Sequence, residues 1–384
     1  MDFEFTEQQK MLRATVREFV QKELPLNLVR KWDEEHKFPM EVFDKLKSLG
    51  ILGVHIPTEY GGMGGGIIDY AIVVEELSRS GCWGLGSYVN AVLMYGAGMI
   101  MDCGNEEQKR HFLPRFANGE PLFAYGMTEP DSGSDAAAAK VSAVENGDDY
   151  ILNGTKMFIT LADAADYTIT LARTDNKVAK HKGLSLFIVD TKSKGYSTNV
   201  LKKMGGFTDT TCEVIYDNVA VPKTMVLGGV EAVNHGWDLL LKTLEVEHLL
   251  VAVAALGNAQ VTFDSALEYA KQRKAFGQEI GKFQAIGHML AEMQVDVHLA
   301  RLAVYQLAWL KENNKPCYRE SCMAKLVATE CWTNMAHRAM QIFGGYSLMY
   351  EYDAQRSLRD SYILLIGGGT RQIQKNMIAK SLGL

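Results

Sequence analysis

The sequence predicts an α+β chain, with an N-terminal helical domain over 1–120, a middle antiparallel β domain over 121–228 and a C-terminal four-helix-bundle domain over 229–384. Three observations carry this. Near the start Met11, Leu12, Val16 and Phe19 recur at helical spacing. In the middle Tyr167, Ile169 and Leu171 alternate with Thr168 and Thr170, as on a strand. Near the end Ile286, Leu290, Met293, Val297, Ala300, Val304 and Leu307 follow one another four and three apart, the seam of a helical bundle or subunit interface. At 384 residues the chain also exceeds what one small core holds together.

Each element has its own signal. Thr6-Glu7-Gln8-Gln9 reads as an N-cap and first turn. Pro57 to Gly66 is glycine-rich but lacks the GxGxxG form, so it reads as a plain loop and not a phosphate cradle. Leu184 to Val189 is a short apolar strand, and Val214-Ile215-Tyr216 is another, ending at the turn-like Asp217-Asn218. Asn146-Gly147 and Asn153-Gly154 read as turns. The order helix, strand, helix differs from a Rossmann fold, in which strands and helices alternate throughout.

Composition narrows the function. A net charge of −6 argues against a general nucleic-acid binder. No apolar run reaches the length of a membrane span, and the first residues lack a basic region followed by an apolar stretch. The six cysteines are scattered without a CxxC pair, so neither disulfides nor a metal site is expected, and a cytoplasmic location fits.

The segment Tyr125-Gly126-Met127-Thr128-Glu129-Pro130-Asp131-Ser132-Gly133-Ser134-Asp135 is the first chemical signal. Proline and glycine fix an irregular loop, and its hydroxyls and backbone N–H groups suit a polar ring edge or a phosphate. On chemistry alone a structural turn explains it equally well. The string resembles a signature of the acyl-CoA dehydrogenases. Asn153 to Thr160 is similar to that family's flavin-stacking segment. Gln272 to Gly277 with Phe283-Gln284, and Gln341 to Tyr346 with Arg359-Asp360, are similar to its later motifs.

The resemblance implies FAD and a coenzyme A thioester. Tyr125, Met127, Thr128, Gly133, Phe158 and Thr160 would line the flavin ring, and Ser134 would touch both flavin and substrate. Arg273, Phe276 and Gln284 would hold the FAD pyrophosphate and adenine across a subunit boundary, with Gln341 and Gly345 from a neighbour. Thr370 and Gln372 would meet the flavin's other side. The assembly implied is a homotetramer, and the electron partner an electron-transferring flavoprotein.

The reaction implied is removal of an α-proton with transfer of the β-hydride to the flavin. Most of the family places the base in a Tyr-Glu-Gly-Thr string. The matching string here is Gly367-Gly368-Gly369-Thr370, and Gly368 has no base to offer. A branch represented by isovaleryl-CoA dehydrogenase carries the glutamate on an earlier helix, and by that alignment Glu247 takes the role. In an apolar pocket its pKa would rise toward neutrality. Gly368 would keep a backbone N–H for the thioester oxygen. Leu244, Glu245 and His248 are carried as substrate contacts, although Glu245 points to another helix face and a lone histidine is more often structural. Phe207 and Asp209 depart from the family's usual arginine and serine. A glycine at 368 would open space beside the α-carbon for branched, cyclic or polar acyl groups. The Gly-Gly-Gly-Thr string also resembles crotonobetainyl-CoA reductase relatives, which brings in the reverse reaction, and a desulfinase branch, which lacks the earlier glutamate.

Overall fold

A computed structural model describes residues 4–384. Seven helices come first: α1 (Glu7–Glu23), α2 (Leu26–Glu34), α3 (Met40–Ser48), α4 (Ile67–Ser78), α5 (Trp83–Val92), α6 (Met99–Cys103) and α7 (Glu106–Ala117). Thr6 caps α1 in a reciprocal box with Gln9, the arrangement its sequence anticipates. α4 is buried along most of its length because it lies between α1 on one side and the long C-terminal helices on the other.

Seven strands follow: β1 (Phe123–Gly126), β2 (Ser142–Asn146), β3 (Asp149–Thr160), β4 (Tyr167–Arg173), β5 (Leu184–Asp190), β6 (Tyr196–Val200) and β7 (Thr211–Pro222). They form one sheet in the order β1-β4-β2-β3-β7-β6, with β5 beside β4. The sheet is mixed and not purely antiparallel: β1 runs parallel to β4, pairing Phe123 with Tyr167 through Gly126 with Thr170. The chain between them carries a whole hairpin, which gives it the length a parallel connection needs. That hairpin closes at the Asn146–Asp149 pair, in agreement with the turn read at Asn146-Gly147.

Two other turn readings are corrected. Asn153-Gly154 lies inside β3 at a register shift, and Asp217-Asn218 lies inside β7, where Asn218 takes a φ of 53°. Both are irregularities within a long ladder. Glycine is required at 154 because a Cβ there would stand 2.9 Å from Val141 Cγ2.

The last part holds α8 (Gly236–Gln272), a small ribbon of β8 (Lys274–Ala275) and β9 (Gln278–Glu279), then α9 (Gln284–Glu312), α10 (Tyr318–Phe343), α11 (Ala354–Ile366) and α12 (Arg371–Ser381). α8 to α11 pack as a bundle with α10 at its centre. On α9 the residues from Leu290 to Leu307 in the four-and-three series are buried, so the seam faces the core. One apolar cluster joins the first seven helices to this bundle, and a second fills the sheet. Among the described residues no helix is long and apolar enough to cross a membrane.

Candidate active site

Where α8 passes the open end of β1 and the stretch before α6, a cleft of about 280 Å³ forms. Thr243, Val246 and Glu247 line it from one face of α8. Tyr125 enters from β1, and Tyr95 from a wide π-type turn over Leu93–Gly98; their rings stack with centroids 5.0 Å apart. Such turns mark functional positions in helices because the extra residue re-aims side chains. Asp102 also lines the cleft, with its carboxyl pushed above the usual range by burial.

Glu247 carries a perturbed carboxyl in this cleft. Burial pushes its carboxyl up to about 6, and the Lys325 ammonium partly offsets this. The Gly367–Thr370 string runs directly beside it: a Cβ placed on Gly368 would stand 3.4 Å from Glu247 Oε1, 3.5 Å from Val251 and 3.7 Å from Lys325 Cε. These are ordinary van der Waals distances, so Glu247, Val251 and Lys325 border the space beside Gly368 without closing it. Gly368 and Gly369 both hold positive φ, 62° and 87°. Thr370 Oγ1 accepts from Ile373 N and caps α12. Among the described residues, no protein acceptor takes the Gly368 N–H.

The loop after β1 is rigidly held. Glu129 accepts from Lys140 N at 2.7 Å, Val141 N at 2.9 Å and Lys156 Nζ at 2.8 Å. Lys156 Nζ also donates to Met127 O, and Met157 N donates to Thr128 O. Met127 and Thr128 are thereby fixed, while Gly133 and Ser134 stay exposed. Along β3 the register breaks between Lys156 and Ile159, and Phe158 takes a φ of 62° with its ring 66% exposed. A bulky residue in that conformation is strained unless something requires it there, and an open aromatic face next to Thr160 fits a flat ring ligand. By that test the residues from Tyr125 to Ser134, with Phe158 and Thr160, fit the isoalloxazine of FAD.

Other expected residues gather elsewhere. Arg273 lies over the ring of Tyr346, which follows Gly345, Gln341 lies in the last turn of α10, and Phe276 stands 97% exposed against Phe283, which precedes Gln284. From Glu247 to Arg273 along α8 is about 39 Å at 1.5 Å per residue. Gln372 is exposed on the first turn of α12. Three expected substrate contacts do not line the cleft. Glu245 points away and pairs with Lys311 at 3.0 Å. Leu244 is half-buried outside it. His248 is buried between Ser321 Oγ and Gln374 Nε2, and burial pushes its imidazole down to about 3. Asp209 is a buried hub that accepts from Trp83, Ser87 and Lys203, and Phe207 sits between His36 and Arg359.

Lys325, Tyr95 and Asp102 escaped sequence reasoning. For Lys325 a signal exists: it shares a helical face with Ser321, Ala328 and Trp332, all buried.

Comparison with known proteins gives the family. Residues 6–120, 124–219 and 234–383 match the N-terminal, middle and C-terminal domains of acyl-CoA dehydrogenase. The probable acyl-CoA dehydrogenase YngJ of Bacillus subtilis is 39% identical over 383 residues, covering 100% of both chains. The caffeyl-CoA reductase-Etf complex subunit CarC of Acetobacterium woodii is 39% identical, covering 98% of this chain and 99% of its own. The structure of butyryl-CoA dehydrogenase from Megasphaera elsdenii superposes with a TM-score of 0.95 at 35% identity, covering 100% of both chains. The chain belongs to the acyl-CoA dehydrogenase family of FAD-dependent oxidoreductases.

Proposed function

We propose that this enzyme dehydrogenates a short acyl-CoA at its α,β bond, with Glu247 taking the α-proton. The observation that carries the assignment is an unpaired carboxylate, raised to about 6, beside a glycine whose N–H has no protein acceptor. This supports the branch that keeps its glutamate on the earlier helix. As the α C–H bond breaks, its proton goes to Glu247 and negative charge moves to the thioester oxygen. The Gly368 N–H is a donor for that charge, and donors already in place there cost no reorganisation. Tyr95 and Tyr125 keep water from the acyl group. Bound FAD supplies the two-electron acceptor for the β-hydride. Tyr125, Met127, Thr128, Gly133, Ser134, Phe158 and Thr160 would hold its ring, with Thr370 and Gln372 on the other side.

Relatives named short-chain specific acyl-CoA dehydrogenase, 37% identical, favour a short acyl group. Stopped-flow bleaching of the flavin across acyl-CoAs of increasing length tests the proposal. Four- to six-carbon thioesters should bleach fastest, and a sixteen-carbon chain at least tenfold more slowly. Absence of bleaching by any acyl-CoA would overturn it. An electron-transferring flavoprotein is the proposed acceptor, consistent with the complex named for the Acetobacterium relative. That name and the 3-(aryl)acrylate reductase of Clostridium sporogenes, 39% identical, also favour testing the reducing direction with an enoyl-CoA.

The three domains are taken as 1–120, 121–228 and 229–384, in a homotetramer. Val295, Leu299 and Leu302 form an exposed apolar stripe on α9, opposite its buried seam. Arg273 lies about 39 Å along α8 from Glu247, which suits an FAD shared between neighbours through Arg273, Phe276, Gln284, Gln341 and Gly345. Light scattering should give four times the 42.6 kDa chain mass. Leu299→Asp should lower that mass and weaken FAD binding at least tenfold; an intact tetramer in that variant would exclude the stripe as an interface.

A further inference from the structure

Lys325 is completely buried, and neither the proton transfer nor the cofactor contacts described above use it. Its ammonium donates to Gly369 O. Its Cε and Glu247 Oε1 flank the same point, the position a Cβ on Gly368 would occupy. No carboxylate lies within ion-pair distance of it among the described residues, so the nearest negative charge it answers is Glu247. A buried ammonium normally costs several kcal/mol unless something nearby compensates. A backbone carbonyl and a carboxylate that must cycle between charged and neutral forms are that compensation here.

The same lysine belongs to a chain of contacts that fixes the loop. Gln374 Nε2 reaches Gly368 O at 3.3 Å, Gly369 O at 3.4 Å and His248 Nε2 at 3.2 Å, and His248 Nδ1 meets Ser321 Oγ at 3.3 Å. Ser321 and Lys325 are one turn apart on α10. The loop that presents the Gly368 N–H is therefore tied to α8 through His248, to α10 through Lys325 and to α12 through Gln374.

We infer that Lys325 is a positioning residue for the proposed proton transfer: its charge favours the ionised form of Glu247, and its hydrogen bond to Gly369 O holds the Gly368 N–H beside that carboxylate. This rests on Glu247 being the base. The other groups facing Glu247 do not supply the charge. Tyr95 from the π-type turn and Tyr125 from β1 are held neutral by burial. Asp102 from the α6 side is acidic and also pushed toward its neutral form by burial. On α8 itself His248 is neutral and Glu245 is engaged by Lys311. On α10 the Cys322 thiol is raised and uncharged. The 367–370 string brings only glycine and threonine, and the one charged side chain on the first turn of α12, Arg371, is exposed and paired with Glu330 at 3.8 Å.

A cation beside an acid lowers its pKa, so removing Lys325 must move Glu247 above about 6. The probe is 3-thiabutanoyl-CoA bound to the FAD-loaded enzyme. Its β-sulfur permits loss of the α-proton but not of hydride, and its enolate beside oxidised flavin absorbs at long wavelength. The pH midpoint of that band reports the ionisation of the base without turnover. Lys325→Met should raise the midpoint by about one pH unit, which costs about fivefold in band intensity at pH 6 and little at pH 9. Lys325→Arg, which keeps the cation, should hold the wild-type midpoint. Thermal unfolding and FAD content measured alongside show that both variants are folded.

An unmoved midpoint in Lys325→Met, with Glu247→Gln lacking the band, would leave the base in place and reduce Lys325 to a loop tie, overturning the inference. Equal shifts in the Met and Arg variants would overturn it as well. A full band in Glu247→Gln would remove the base assignment itself, and the inference with it.

Discussion

Glu247→Gln is expected to keep FAD bound and to slow flavin bleaching by acyl-CoA by 10²- to 10⁴-fold, the usual weight of a positioned general base. Glutamine has the same shape and fills the same space beside Gly368 and Val251, so the cleft survives while its proton acceptor does not. No neighbour stands in. Glu245 is two residues along α8, on another face, and held by Lys311 at 3.0 Å. The His248 ring is enclosed by Ser321 and Gln374 and pushed down to about 3 by burial, so it has neither the position nor the basicity. In the wild type the bleaching rate should rise with pH through about 6 as Glu247 loses its proton. The variant should lose that limb and run flat and slow across the same range. Bleaching within threefold of wild type, with the limb intact, would move the base elsewhere.

The sequence made some of this legible because some of the physics is local. A capping box needs only Thr6 and Gln9, and the α9 seam is written in a spacing of four and three that any bundle helix must obey. The turn signals at Asn153-Gly154 and Asp217-Asn218 are equally local, yet long-range pairing between β3 and β7 absorbs them as irregularities in continuous strands. The parallel pairing of β1 with β4 is decided by partners 44 residues apart, and no turn motif announces it. The site divides in the same way. Glu247 and Gly368 stand out in the sequence because they sit in recognisable strings. What surrounds them was not, because Tyr95, Asp102 and Lys325 come from three separate elements. Lys325 is charged, yet its helical phase places it among the buried Ser321, Ala328 and Trp332, and that phase is the local signal for its burial.

Glu129→Ala is expected to destabilise the protein by 3–5 kcal/mol, the cost of leaving one partner of a buried ion pair alone. Lys156 is completely buried, and burial pushes its ammonium down to about 8, with Glu129 opposing that shift. The carboxylate also takes the N–H groups of Lys140 and Val141, so three donors lose their acceptor together. The denaturant midpoint should fall, and FAD should dissociate more readily because Met127 and Thr128 are held through the same contacts. The double variant Glu129→Gln, Lys156→Met separates these effects. It removes both charges, keeps an acceptor for one of the two backbone donors and fills the lysine's space with an apolar chain, so most of the stability should return. FAD affinity should recover much less, because Met127 O has lost its Lys156 donor. Stability and affinity rising together in the double variant would mean that the ion pair acts only on the fold. Stability returning alone would mean that Glu129 and Lys156 are retained for the shape they impose on the flavin loop, a role that no apolar pair of the same volume can fill.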